Sequence, residues 1–451
     1  MEMSRREILS LGTVGALAFA TGRPPAHAQA QAAAVEPQDR VFIANGDSNT
    51  ISVLDPRTNT VETTINLTSF DEDPRPPFRF ADGGVASPHA AMIHKPLYRG
   101  AIGLRGLAPS PDNRVLATVG RGSNNVYFID VVGRRVIGNT PNPQAGPTSN
   151  PERVSSGILV GREPCGSTFS RNGRELWVTL RGEDRVAIID VEAALKGNPG
   201  ALRALVVTLN GPSHVWFSAD GGLAFVASQK AARVDVLFVN PDAQGRSRPS
   251  HLTTLDISAE DPPGFTPFLK TSPDGAELWL THTLADRVSV RSARGPHALI
   301  ETLALGAQAQ PNHLEFVENA RAKVVYVSQA RVDDRGPGEA ASSRIAIVDR
   351  SGPPGSRKLA GAFFSRGREA HGLWTNPANT LLYVAHEQDE PIGTTNAGQA
   401  VASAFDVTNP LAPVFLAQIP LGSLALPSGA LRNKRSTSLV YVRPGTRSQT
   451  A

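Results

Sequence analysis

A turn of the form Ser-Pro-Asp-Gly recurs along this chain and sets the frame for everything between its copies. It reads Ser110-Pro111-Asp112-Asn113, Ser170-Arg171-Asn172-Gly173, Ser218-Ala219-Asp220-Gly221 and Ser272-Pro273-Asp274-Gly275. Looser copies follow at Glu318-Asn319-Ala320, Asn376-Pro377-Ala378-Asn379 and Arg432-Asn433-Lys434. Asp or Asn next to Gly suits the tight turn of a hairpin. After each turn comes an apolar strand, as in Leu176-Trp177-Val178-Thr179, Leu278-Trp279-Leu280-Thr281 and Val325-Tyr326-Val327-Ser328. A third strand then closes at Leu54-Asp55, Ile129-Asp130, Ile189-Asp190, Val239-Asn240, Arg291-Ser292, Val348-Asp349 and Phe405-Asp406.

Such a unit is a small antiparallel sheet, apolar on both faces, which cannot bury both faces alone. Stacking the units radially does so, and closing the ring protects the edges. Seven Asp-type strand ends predict an all-β, seven-bladed β-propeller. An eighth copy of the second strand, Val440-Tyr441-Val442, leaves eight blades open. The repeats begin on a second-type strand, Val41–Asn45, so the C-terminal segment, about 426–443, is expected to join the first blade and clasp the ring. The mean period is about 58 residues, above the roughly 40–50 of a plain blade. The excess falls in insertions at 68–100, 137–157, 240–265, 328–343 and 387–399. Gly 41 and Pro 36 suit a fold with this many turns.

Arg40-Val41-Phe42-Ile43-Ala44-Asn45 followed by Asn49-Thr50-Ile51-Ser52-Val53-Leu54-Asp55 resembles the YVTN β-propeller repeat, and the copies at 175–190 and 276–290 match next best. The resemblance spans roughly 38–443. It implies kinship with periplasmic binding propellers and, more distantly, with lactonase-like proteins and the haem-d1 propellers of nitrite reductases. It speaks to fold more than to function, since one fold hosts many activities. No Cys-x-x-Cys-His is present, which excludes a covalently attached c-type haem.

Residues 1–30 read as an address. Ser4-Arg5-Arg6-Glu7-Ile8-Leu9 resembles a twin-arginine export motif, an apolar run continues to Ala20, and Ala26-His27-Ala28 or Ala28-Gln29-Ala30 fits a cleavage site. The expectation is a periplasmic or secreted protein whose mature part, 31–451, is one propeller domain with no transmembrane helix. A twin-arginine route raises the prospect of a cofactor inserted before export. The net charge of +4 is too small to argue for nucleic acid. The single cysteine, Cys165, excludes an internal disulfide framework.

In a propeller the first strand of each blade lines the channel. Its starts read Arg105-Gly106, Pro164-Cys165-Gly166, Ser213-His214, Pro267-Phe268, Asn312-His313, Ala370-His371-Gly372 and Pro427-Ser428-Gly429. Ends of second strands, carrying Arg121, Arg181, Lys230, His282, Arg331 and His386, are expected around the same opening. His214, His313 and His371, with Cys165, are candidate ligands for copper, zinc or haem iron, or polar lining, or acid–base groups. Arg105, Arg121, Arg181, Arg331, His282 and His386 are candidate ligand-binding residues, a collar suited to carboxylate or phosphate. Gly161-Arg162-Glu163 and Gly367-Arg368-Glu369 are near copies that set a carboxylate beside an arginine. The insertion carrying His89 and His94 is long enough to form a lid, and the four tryptophans fit packing between blades. The sequence therefore points to an exported propeller that binds a protein partner or small anionic ligand at a basic, His-bearing mouth. A metal- or haem-dependent oxidoreductase and a lactonase-like hydrolase are the alternatives.

Overall fold

The structure, a computed structural model, describes residues 35–67, 102–138, 157–336, 339–422, 424–425, 431–432 and 434–451. Residues 1–30, where an export signal is expected, the His89/His94 insertion and Pro427-Ser428-Gly429 lie outside the described residues.

Seven antiparallel sheets form seven blades. From blade 1 to blade 7 the innermost strands are Ser436–Val442, Leu104–Pro109, Pro164–Phe169, Pro212–Phe217, Phe268–Thr271, Pro311–Glu318 and Arg368–Thr375. Each touches the innermost strand of the next blade, and the last touches the first, so the ring is closed. The second strands are Arg40–Asn45, Val115–Gly120, Glu175–Leu180, Leu223–Ser228, Glu277–His282, Lys323–Asp333 and Leu381–Gln388. They are almost wholly buried, because neighbouring blades cover both faces. Outer strands such as Leu202–Val207 alternate between half-buried and exposed, as expected where only one face is covered. The insertion predicted at 328–343 is largely a longer hairpin, since blade 6 extends its second and third strands to Asp333 and back from Ser342.

The repeated residues have local reasons. In the Ser-Pro-Asp-Gly turn the serine hydroxyl bonds the third residue's carboxylate or amide, as in Ser110–Asp112 (2.6 Å) and Ser218–Asp220 (2.6 Å). The serine also accepts the N–H that starts the next strand, Val115 at 3.0 Å and Leu223 at 2.9 Å. The fourth position is left-handed, with φ of 57° at Asn113 and 72° at Gly221, hence Asn or Gly. The Asp at the third-strand end caps the following turn, Asp130 accepting from Val132 and Gly133 and Asp349 from Ser351. The threonine of the second strand stitches blades together: Thr179 donates to Ser213 O (3.0 Å) and Thr281 to Asn312 O (2.7 Å), each in the next blade.

Val440-Tyr441-Val442 is the innermost strand of blade 1, paired antiparallel with Arg40–Asn45, and not an eighth second strand. This accounts for the surplus copy and fixes seven blades with a C-terminal clasp. The clasp is locked by Asp39, whose fully buried carboxylate accepts from Tyr441 Oη (2.5 Å) and from Arg443 Nε and Nη2 (2.8 and 2.7 Å). Asp39→Ala strands both donors, and a loss of about 2–4 kcal/mol is expected in urea unfolding. An unchanged midpoint would show that the lock is dispensable.

Candidate functional site

The site grows out of a repeated irregularity. The innermost strands bulge against their partners between Arg105 and Leu107, Pro212 and His214, Pro311 and Leu314, and Ala370 and Leu373, and opposite Val178–Leu180 in blade 3. A bulge adds a residue and re-aims the side chain beside it. The result is a cavity of about 410 Å³ at one mouth of the channel, into which blades 2–7 present Arg105, Cys165, His214, Phe268, His313 and His371.

Four of these rings form a continuous arc across blades 4 to 7. Ring centroids are 4.3 Å apart for His214–Phe268, 4.5 Å for Phe268–His313 and 4.5 Å for His313–His371. The Nδ1 atoms of all three imidazoles are buried and have no hydrogen-bond partner in the protein. Burial keeps the rings neutral. It brings His214 down to about 3, and holds His313 well below the ordinary 6.5 with the help of His371 and His214. His371 is also lowered by burial, with Glu387 opposing the shift.

Across the cavity the charges are mostly neutralised. Glu387 sits 2.5 Å from Arg105 Nη1, 2.9 Å from Arg435 Nη2 and 3.3 Å from His371 Nε2. Burial opposes its ionisation, but these neighbours hold its carboxyl at about 2. Glu369 lines the same wall and is raised by burial and by Glu387. Arg181 pairs with Glu163 at 3.1 Å, and Arg121 Nη2 donates to Cys165 Sγ at 3.1 Å. The near-copy segments thus diverge, since Glu163 engages Arg181 while Glu369 faces the cavity; both hold left-handed φ, 52° and 57°.

Lys270 lies between Trp216 (5.3 Å) and Trp374 (4.9 Å) and pairs with buried Glu315 at 3.0 Å. Residues 448–450 cross beneath: Ser448 N donates to Pro111 O, Thr450 Oγ1 to Pro109 O (2.8 Å), and Gln449 bonds Lys270. The cavity therefore has a floor. All four tryptophans pack between blades, Trp177 and Trp279 edge-on to Phe217 and Phe316, Trp216 in the core shared by blades 4 and 5 and Trp374 in the core shared by blades 7 and 1, and the last two also line the cavity.

The structure brings together Arg105, Arg121, Arg181, Cys165, His214, His313 and His371 from the sequence expectation. It places Arg331, His282 and His386 elsewhere. His282 is fully buried, bonded to Thr266 (2.8 Å) and Ser289 (2.7 Å), and His386 is fully buried, bonded to Val401 O (3.1 Å) and Ser365 (3.0 Å). Arg331 turns to Asp333 and Ala307 O. The reason is strand alternation. The cavity-facing position at this end of blades 2 to 7 is held by Arg121, Arg181, Gln229, Thr283, Ala330 and Glu387, one residue off His282, Arg331 and His386. Glu387, which the sequence reading passed over, was reachable by applying that alternation to all blades.

Among the described residues no three His, Cys, Asp or Glu side chains are grouped so as to hold a metal ion. Phe268 stands between His214 and His313, and Cys165 is engaged by Arg121 from blade 2.

Fold and site together define a seven-bladed propeller with a floored, ring-walled cavity at one mouth. No protein-family model matches the sequence, and no curated protein matches it. Solved propellers do resemble it. The periplasmic gluconolactonase PpgL of Pseudomonas aeruginosa is 16% identical with a TM-score of 0.54, over 90% of this chain and 99% of that one. A functionally unknown protein from Desulfotomaculum acetoxidans gives 10% and 0.57 over the same shares. A putative 6-phosphogluconolactonase from Bacteroides uniformis gives 15% and 0.54, again over 90% and 99%. At these identities the likeness is one of fold.

Proposed function

We propose that this is an exported propeller that captures a small anionic ligand in the cavity at its histidine-bearing mouth. The observation that carries the reading is the lining of one cavity at the channel mouth, where Arg105, Arg121 and Arg181 stand with His214, His313 and His371; in the wall behind it, Nδ1 of the three imidazoles and Nε of Arg121 are buried with no hydrogen-bond partner in the protein. Interiors rarely leave such groups unpaired, and a cavity of a few hundred Å³ with few polar groups on an apolar wall is the usual form of a ligand site. The arginines favour an anion. Export is supported by Ser4-Arg5-Arg6 and the apolar run after it, and no helix among the described residues is long and apolar enough to cross a membrane.

The test is thermal stabilisation of the full chain by a panel of carboxylates and inorganic phosphate, alongside metal analysis and an absorption spectrum of protein exported through its own leader. A rise in melting temperature with a panel anion, lost in His313→Ala, is expected. Stoichiometric copper or iron, or a Soret band, with no anion response would replace this reading with the oxidoreductase one. A second reading, a lactonase-like hydrolase, is favoured by one feature. Ionised Glu387 orients His371 while Glu369, a carboxyl with a raised pKa, faces the same space, a pairing suited to general acid–base work. Turnover of lactone esters that falls at least a hundredfold in Glu387→Gln is its expected signature.

A further inference from the structure

We infer that residues 444–451 are a detachable stopper: they close the far end of the channel, and their release opens the cavity to the far face of the ring while the seven blades stay folded. The cavity runs down the innermost strands, from Arg105 to Pro109 in blade 2, from His214 to Trp216 in blade 4 and from His371 to Trp374 in blade 7. Thr450, 1% exposed, forms part of its wall at that end. The segment is tied to blades around the ring. Gly445 N donates to Asp112 O (2.8 Å), Ser448 N to Pro111 O (2.9 Å) and Thr450 Oγ1 to Pro109 O (2.8 Å), all in blade 2. Arg171 Nη1 of blade 3 holds Gln449 O at 3.2 Å. The Gln449 side chain then accepts from Lys270 Nζ of blade 5 and donates to Thr375 Oγ1 of blade 7 (3.4 Å). A segment bonded to blades 2, 3, 5 and 7 at once crosses the channel axis, with Gln449 as its latch.

Its attachment differs in kind from that of the strand before it. Ser436–Val442 pairs along its length with Arg40–Asn45, and the clasp is complete at Arg443, through Asp39. Pro444-Gly445-Thr446-Arg447-Ser448-Gln449-Thr450-Ala451 carries no large apolar side chain. Among the described residues, no hydrophobic core cluster includes a residue beyond Val442. Little apolar burial therefore holds the segment down. Hydrogen bonds do, and each contributes only modestly because water replaces it on release. The groups left behind keep partners: Lys270 retains Glu315 (3.0 Å), and Arg171 retains Phe217 O (2.8 Å) and Ser218 O (3.0 Å). No buried charge is stranded when the stopper leaves. Closure even carries a cost, since burial and then the like charge of Arg447 pull the Arg171 guanidinium down to about 10.

Two measurements on the full-length chain test this, and neither uses a ligand, so they stand apart from the anion-binding reading. Amide hydrogen exchange tests detachment. Residues 444–451 are expected to exchange at least about tenfold faster than Ser436–Val442, through an opening that leaves the strands protected. Exchange of both segments together, at the rate of global unfolding, would overturn the inference. Acrylamide quenching of tryptophan fluorescence tests closure. Trp216 and Trp374 flank Lys270 beside the stopper and are 4% and 9% exposed, while Trp177 and Trp279 are fully buried. The double variant Ser448→Pro, Gln449→Ala removes the bond to Pro111 O and the latch on Lys270. Its quenching constant should rise at least about twofold as the far end opens, and adding Trp374→Phe should take away part of that rise. Quenching that stays at the unsubstituted level would overturn the inference. So would a fall in the urea midpoint of the double variant as large as that of Asp39→Ala, which would make the segment a part of the ring.

Discussion

Glu277→Ala is expected to lose about 3–5 kcal/mol of stability, the largest effect of any single side chain considered. Glu277 is 3% exposed and sits where blades 5 and 6 meet. Its carboxylate accepts from Trp279 Nε1 (2.9 Å) within blade 5, from Arg350 Nε (2.9 Å), and from Arg357 Nη2, the last two borne by blade 6. Arg350 reaches on to Asp274 (2.5 Å) and Glu318, and Arg357 to Glu301 (2.5 Å). Both guanidiniums are themselves buried, at 6% each. Removing the shared carboxylate leaves two buried cations short of a counter-charge, and the cost of an uncompensated buried charge exceeds that of an absent contact. Urea unfolding of Glu277→Ala and Glu277→Gln measures it. Glu277→Gln keeps one acceptor oxygen and should lose less. A change under about 1 kcal/mol in Glu277→Ala would mean that Asp274, Glu318 and Glu301 suffice to hold both arginines.

None of this network was legible in the sequence, although the ring that creates it was. The repeat named its own turns and strand ends because these obey local rules: a left-handed fourth position at Asn113 and Gly221, an Asp that caps the next turn, a threonine that ties adjacent blades. Arg350 and Arg357 lie 73 and 80 residues from Glu277, and nothing local pairs them. Val440-Tyr441-Val442 shows a subtler limit. Its composition is that of a second strand, yet its partner is Arg40–Asn45, so its place in the ring comes from closure and not from its residues.

The site was half legible for a similar reason. Starts of the innermost strands could be aligned, so Arg105, Cys165, His214, His313 and His371 fell on one opening. The opposite collar slipped by one residue in blades 4, 5, 6 and 7, where Gln229, Thr283, Ala330 and Glu387 line the cavity in place of Lys230, His282, Arg331 and His386, because neighbouring strand residues face opposite sides. His282 and His386 thereby looked like ligands and prove to be pins within the core, while Glu387 went unnoticed beside His386. Chemical type misled where strand parity would have decided.

Four buried imidazoles make acid the protein's weak point: His214, His313, His371 and His386 are all shifted down by burial. His386 is held near 4 by burial, with bonds to Val401 O and Ser365 opposing the shift, and His214 near 3 by burial. Both are far below the ordinary 6.5, so above about pH 7 neither binds a proton in either state and neither contributes a pH dependence. As pH falls through 6.5 the unfolded chain takes up protons that the folded chain refuses, and stability drops. Each group contributes a slope of up to about 1.4 kcal/mol per pH unit, down to its folded value. Two such groups give nearly 3 kcal/mol per unit between about pH 6 and 4, and His313 and His371, shifted the same way, steepen the fall. Glu387 adds nothing at pH 6, because its carboxylate is ionised in both states; its share is lost only below about 4.5, as the pH moves toward its folded value of about 2. Urea midpoints measured from pH 7.5 to 4 should therefore decline steeply from about pH 6, and His386→Gln should remove one proton from the slope even though it lowers stability at pH 7.5. A midpoint that stays level to pH 4.5 would show that the imidazoles accept protons within the folded ring.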